Sequence, residues 1–86
     1  MPTVAWILGY AIVFFFEDHA PPHFHVRGKG VEAKFDLAEL MLVEIKGQLR
    51  PAEIRAIRDW ARRHLPALYR AWNMVQDGET PPRIGG

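Results

Sequence analysis

The chain has 86 residues, 49% of them apolar, a formal net charge of +1 and no cysteine. This length predicts a single domain, and the lack of cysteine excludes disulfides and thiolate metal sites. Domains this small often gain stability from a metal or from a partner chain. The apolar run at residues 4–16 is interrupted by Gly9 and is too short to span a bilayer, so we expect a cytoplasmic protein without membrane association.

The N-terminal part predicts a β-hairpin followed by a stiff loop. Residues 3–8 and 11–16 are rich in β-branched and aromatic residues, and Gly9-Tyr10 between them is a turn signal. Because residues 11–16 are apolar throughout, we expect a central strand covered on both faces. Residues 17–22 end in two prolines, which favour an extended connection.

A second hairpin is predicted around Gly28-Lys29-Gly30, because residues 23–27 and 31–36 alternate between polar and apolar. A two-residue turn at 28–29 or at 29–30 keeps apolar residues opposite apolar ones, and a simple three-residue loop does not. Either turn gives the hairpin one polar face. That face is predicted to hold His23, His25, Arg27, Glu32, Lys34 and Asp36.

The C-terminal part predicts helices. Residues 37–45 favour a fifth strand or a helical turn, and from Ala52 onward apolar residues recur at helical spacing. Pro66 interrupts this stripe without changing its phase, so we expect one kinked helix or, preferably, two helices at about 51–64 and 66–77.

The predicted fold class is therefore α+β. An antiparallel sheet of four to five strands precedes one kinked or two C-terminal helices packed on it. We expect a single domain over residues 1–78 and a flexible Pro/Gly tail at 79–86.

The histidines of the polar face predict a metal site. His23 and His25 lie two residues apart on one strand, which places them about 6–7 Å apart on the same face. His19 approaches from the stiff loop, and three imidazoles can bind a divalent transition metal such as zinc. A carboxylate of Asp18, Glu32 or Asp36 could complete the ligand shell or orient an imidazole. The candidate catalytic residues are Asp18 and Glu32, as a base, and Arg27, which would stabilise developing charge.

Two alternatives to a metal site stay open. The imidazoles can be solvated and paired with Glu32 or Asp36, or His23 or His25 can act with Arg27 in metal-free acid–base catalysis or phosphate binding.

The helical part carries a second candidate surface, because it is net basic and contains arginine but no lysine. Its arginines fall opposite the apolar stripe, with Asp59 among them, and predict contact with nucleic acid or with an acidic partner. An ordinary solvated helix face is the alternative. These arginines are Arg55, Arg58, Arg62, Arg63 and Arg70.

Several motifs resemble a known family. They are the opening Met1-Pro2-Thr3, Asp18-His19 with Pro22-His23-Phe24-His25, Glu32-Ala33, Gly47 with Leu49, the series Trp60, His64, Leu68 and Trp72, and Pro82-Arg83-Ile84. Together they resemble the small bacterial domain-of-unknown-function family 4160. The resemblance implies a stand-alone prokaryotic protein, often encoded beside another small uncharacterised domain in an arrangement reminiscent of toxin–antitoxin pairs.

These features give function hypotheses of different classes. The leading one is a binding or regulatory module, of toxin–antitoxin type, that acts with a protein partner or as a homo-oligomer, with nucleic acid as a further partner. The alternative is a metal-dependent hydrolase or nuclease that acts on phosphodiesters through the histidine cluster. A metal-free nuclease is the third.

Overall fold

The computed structural model describes residues 1–85 and confirms the α+β class. In these residues a five-stranded antiparallel sheet, in the order β1-β2-β3-β4-β5, precedes two helices. The strands are β1 (Thr3–Ile7), β2 (Tyr10–Val13), β3 (His23–Gly28), β4 (Val31–Asp36) and β5 (Leu42–Lys46). The helices are α1 (Pro51–Arg63) and α2 (Leu65–Gln76). Each strand pairs with the next along the chain, so the sheet is a meander.

The hairpin of β3 and β4 confirms one of the two predicted turns. Gly28 pairs with Val31, which leaves Lys29 and Gly30 as the turn residues, and their φ angles of 51° and 76° are typical of a type I′ turn. Residues directly opposite each other share a face of the sheet. The polar face is formed by three cross-strand rows: Trp6, Ala11, Arg27, Glu32 and Lys46; Val13, His25, Lys34 and Glu44; and His23 and Asp36.

The ambiguous segment 37–45 contains the fifth strand. Asp36 organises the turn that leads to it, because its carboxylate accepts hydrogen bonds from the N–H groups of Glu39 at 2.7 Å and Met41 at 2.8 Å. A β-bulge at Val43 then shifts the register, so that Leu42 lies opposite Phe35 and Glu44 opposite Lys34.

The helices cover the opposite, apolar face of the sheet. One hydrophobic core joins Phe14, Phe24, Val26 and Phe35 of the sheet region to Ile57, Trp60, Leu68, Trp72 and Val75 of the helices. Strand β2 is an interior strand and is buried throughout, which confirms the prediction for residues 11–13. Residues 14–16 lie beyond the strand, and Phe16 is exposed. Among the described residues, no helix is long and apolar enough to cross a membrane.

The helical segment is divided in two at His64, as preferred from the sequence. Pro66 lies in the first turn of α2, where its missing N–H leaves no helical hydrogen bond unmade. The N–H of Leu68 donates to the carbonyl of His64 at 2.9 Å and closes that turn.

Residues 79–85 return to the sheet after α2. The N–H of Ile84 donates to the carbonyl of Val4 at 2.8 Å, and Pro81 is buried. The segment predicted as a tail therefore lies against β1, an edge strand of the sheet. Gly86, its last residue, lies outside the described part of the chain.

Candidate metal site

Three side chains converge where the loop between β2 and β3 meets the polar face. Asp18, His23 and His25 each offer a ligand atom, and these atoms all lie within 4.8 Å of one another. Strand β3 supplies both histidines and the loop supplies the carboxylate. His19, the third ligand predicted from the sequence, is exposed and lies outside this group, although it lines a neighbouring cavity.

The imidazole of His23 is fixed in one orientation. Its Nδ1 lies 2.8 Å from the carbonyl oxygen of Pro21, and since a carbonyl only accepts, Nδ1–H is the donor. In the neutral ring Nε2 then carries the lone pair, and it lies 3.4 Å from Asp18 Oδ1. The residue is only 6% exposed and its ring lies 5.2 Å from that of Trp72. In a metal-bound histidine, one ring nitrogen usually binds the metal while the N–H of the other donates to a carbonyl or carboxylate, as Nδ1–H does here.

His25 faces the same carboxylate. Its Nε2 lies 3.1 Å from both oxygens of Asp18, and because a carboxylate only accepts, Nε2–H donates there in the metal-free protein. Its ring packs edge-on against those of Phe15 at 4.5 Å and His23 at 5.0 Å. Burial lowers the pKa of His25 below 6.5, while the Asp18 hydrogen bond acts in the opposite direction. The neutral imidazole is the form that binds a metal, and binding through Nε2 would require its proton to move to Nδ1.

Asp18 is held by the backbone on both sides. Its N–H donates to the carbonyl of Phe15 at 3.1 Å, and its Oδ2 accepts from the N–H of Phe15 at 3.1 Å. Its own carbonyl accepts a hydrogen bond from Gln76 Nε2 at 2.9 Å, which ties the loop to the end of α2. Nothing in the sequence indicated the contact with Gln76, because the two residues are 58 positions apart.

Two of the three donor separations are close to those of a tetrahedral metal centre, and the third is within 4.8 Å. Metal–ligand bonds of about 2.1 Å at tetrahedral angles place neighbouring donor atoms about 3.4 Å apart. The Nε2 atoms of His23 and His25 lie 3.4 and 3.1 Å from their nearest Asp18 oxygens. Two imidazoles and one carboxylate would leave at least one position for water or substrate, as catalytic zinc sites do.

Two cavities adjoin the three residues. One of about 360 Å³ is lined by Phe15, His25 and Glu32, among others. The other, of about 540 Å³, is lined by Asp18, His19 and His23, among others. Lys34 and Glu44 line both cavities and form an ion pair with an N–O distance of 3.7 Å. The approach to the three residues is therefore polar, with carboxylates and a lysine beside it.

The family model described as Domain of unknown function (DUF4160) matches residues 9–73 of the 86-residue chain. The chain belongs to the DUF4160 family. Searches of curated proteins and of solved structures find no match. The DUF4160 span includes Asp18, His23, His25 and the whole of α1, and it confirms the resemblance seen in the sequence.

The other two candidate catalytic residues of this DUF4160 chain pair with each other. Arg27 Nε lies 3.2 Å from Glu32 Oε1, and the guanidinium lies 5.7 Å from the centre of the Phe15 ring. Phe15 in turn packs on His25, so this ion pair is separated from the three convergent residues by one aromatic ring. Only Glu32 of the pair lines a cavity next to His25.

The arginines of the DUF4160 helices do not act as one group. Arg58 is half-buried and donates from Nε to the carbonyl of Leu40 at 2.8 Å, so it joins α1 to the β4–β5 connection. Arg62 forms an ion pair with Asp59 at 2.9 Å. In the part of the chain that the structure describes, the remaining three are exposed and form no ion pair: Arg55, Arg63 and Arg70.

Proposed function

We propose that this protein binds a divalent transition metal through Asp18, His23 and His25. The observation that carries the proposal is the convergence of three donor atoms within 4.8 Å, one of them on an imidazole whose Nδ1–H is already held by a carbonyl. This arrangement stabilises the metal-binding tautomer before the metal arrives, which lowers the cost of ordering the site.

The donor set favours a zinc-like ion. Imidazole nitrogen with one carboxylate suits zinc, iron, nickel and manganese, whereas calcium and magnesium prefer shells made of oxygen. The site is also small enough for four-coordinate geometry, which is the usual geometry of zinc.

We further propose that the bound metal serves hydrolysis of a phosphodiester. A metal in this position would supply Lewis acidity to a phosphoryl oxygen and to a water molecule. Lys34 lines both adjoining cavities and would hold a phosphate anion next to the site. Glu32 and Glu44 line the cavity that contains His25 and offer carboxylates to accept a proton from the attacking water.

Metal binding is tested on protein purified without a histidine tag. We expect close to one equivalent of zinc by elemental analysis and a higher melting temperature on adding zinc, nickel or manganese. His23→Ala and His25→Ala are expected to lose both effects. His19→Ala is the matched control, because it removes an exposed histidine of the same loop region, and it should keep both. Substoichiometric metal with no change in melting temperature would refute the site.

Hydrolysis is tested separately on the metal-loaded protein. We expect turnover of bis(p-nitrophenyl) phosphate that a chelator abolishes and that Lys34→Ala weakens through KM. If the protein binds one equivalent of metal but turns over neither this phosphodiester nor RNA, the hydrolase proposal is refuted and only metal binding stands.

A second candidate function is the binding or regulatory module of toxin–antitoxin type. It is favoured by the exposed, unpaired guanidiniums of Arg55, Arg63 and Arg70 among the described residues, which suit an acidic protein partner. Co-expression with the product of the adjacent gene should give a complex on size exclusion, and reversing these three charges should dissociate it. Absence of the complex, or a complex indifferent to the reversals, would contradict this candidate.

A further inference from the structure

The two edges of the sheet differ in what lies beside them. On the β1 edge, Ile84 of the C-terminal segment donates to the carbonyl of Val4 at 2.8 Å. On the β5 edge, no strand or loop from the described residues 1–85 pairs with the outer side of Leu42–Lys46. An unpaired edge presents free N–H and C=O groups that can pair with another chain.

The β5 edge is also apolar for an exposed strand. None of its residues is buried, and Val43 and Ile45 are 52% and 40% exposed, with Met41 just before the strand at 51%. Exposed apolar side chains along a free edge gain burial when a second strand is added there.

Symmetry limits how a second copy can pair with this edge. A two-fold axis normal to the sheet gives antiparallel strands and keeps each face on its own side, so residues directly opposite must share a face. Glu44 and Lys46 both lie on the polar face, opposite Lys34 and Glu32 of β4. Two of the allowed registers place Glu44 of one subunit opposite Glu44 or opposite Lys46 of the partner subunit.

One of these registers is complementary in charge. Pairing around Ile45 places Glu44 opposite the partner's Lys46 and Lys46 opposite the partner's Glu44, which gives two ion pairs. The register centred on Glu44 instead brings two carboxylates face to face, which is unfavourable. The bulge at Val43 limits regular pairing to the end of the strand beyond it, so the contact is short.

We propose that the protein forms a reversible symmetric dimer in which β5 pairs antiparallel with β5 of a second copy around Ile45. The dimer would continue the sheet through both subunits. Because Glu44 lines both cavities next to His23 and His25, the partner subunit would also border the entrance to the metal site. The dimer does not depend on metal binding.

Analytical ultracentrifugation over a range of concentrations tests the proposal with charge swaps. We expect Glu44→Lys and Lys46→Glu each to weaken dimerisation about tenfold or more, because each places like charges opposite one another. An equimolar mixture of the two variants should form a heterodimer, and the double swap should restore the homodimer. Arg55→Glu, a charge reversal on α1, is the control and should dimerise like the unmodified protein.

The swaps also exclude simple misfolding, because a variant that fails alone must recover when mixed with its complement. Circular dichroism melts of each variant at low concentration check that the monomer is folded. A protein that stays monomeric at all concentrations, or a dimer that neither single swap weakens, would overturn the proposal. So would single variants that stay monomeric after mixing.

Discussion

The histidine cluster and the arginine surface were equally visible in the sequence, yet they differ in the structure. In the cluster, His23 and Asp18 have side chains only 7% and 13% exposed, and each has a hydrogen-bond partner on the backbone. On the helices, Arg62 is paired locally, Arg58 binds a carbonyl, and the others extend into solvent. A set of like residues becomes a site when the fold desolvates it and fixes its orientation.

A substitution at Asp18 is expected to have the largest effect, and it tests whether the Asp18 carboxylate binds the metal together with His23 and His25. Asp18→Asn keeps the shape and one oxygen that can accept from Phe15 N–H, but it removes the negative charge. We expect metal affinity to fall by more than the 10–100-fold that is typical of losing an outer-shell partner, because a ligand itself is changed. Isothermal titration with zinc measures this.

The control for this prediction is Glu17→Gln, which neutralises the adjacent exposed carboxylate of the same loop. It should bind zinc like the unmodified protein. Equal loss in both variants would mean that loop charge, and not coordination by Asp18, determines the affinity.

Strand parity made the polar face of the sheet and two of the three site residues predictable. Alternation alone placed His23 and His25 on one face, because the side-chain period of a strand is two. Alternation did not choose between turns at 28–29 and 29–30, since both keep that parity. The turn at 29–30 is identified only in the structure, from the positive φ angles of Lys29 and Gly30.

The third member of the cluster was not predictable in the same way. The sequence predicts His19 as the third ligand and Asp18 only as one of several carboxylates that could complete the shell, because a proline-containing loop does not fix which of two neighbouring side chains points inward. Two contacts hold Asp18 next to the histidines. The turn closed with Phe15 is local, whereas the hydrogen bond from Gln76 joins residues 58 positions apart and depends on the packing of α2. The same holds for Arg58, whose carbonyl partners lie outside its helix.

The next largest effect is on stability, and it distinguishes Arg58, which contacts a carbonyl, from the exposed Arg55. Arg58→Ala leaves the carbonyl of Leu40 without its donor and should lower the free energy of unfolding by about 1–2 kcal/mol. Arg55→Ala removes an exposed side chain of the same helix and should change it by less than about 0.5 kcal/mol. Urea denaturation of both variants measures the difference. Equal changes would show that the Leu40 contact adds nothing to stability.

A smaller effect tests the link between α2 and the metal site. Gln76→Ala removes the donor to the Asp18 carbonyl but leaves the three ligands in place. We expect zinc affinity to fall about tenfold, the lower end of the range for outer-shell partners, with stoichiometry unchanged. Asn73→Ala, another exposed polar residue of α2, is the control. Unchanged affinity in Gln76→Ala would mean that Phe15 alone fixes the loop.

The smallest effect concerns a contact that links the helices to the sheet far from the metal site. Glu53 accepts hydrogen bonds from the backbone N–H of Arg50 at 2.9 Å and from the hydroxyl of Tyr10 at 3.0 Å. The Arg50 hydrogen bond, helped by that of Tyr10, lowers the pKa of Glu53 below 4.5 in the folded protein. Its stabilising contribution is therefore complete above pH 4.5 and is lost as the pH falls through the lowered value.

Glu53→Gln should remove this dependence, because the amide does not ionise in this range. Its single oxygen can still accept from the N–H of Arg50, and its NH2 group can donate to the hydroxyl oxygen of Tyr10. Urea midpoints measured between pH 6 and pH 3 should fall less steeply for Glu53→Gln than for the unmodified protein. Glu79→Gln, which removes a carboxylate of the exposed C-terminal segment, should follow the unmodified protein. If all three slopes coincide, the Glu53 contact does not couple protonation to folding.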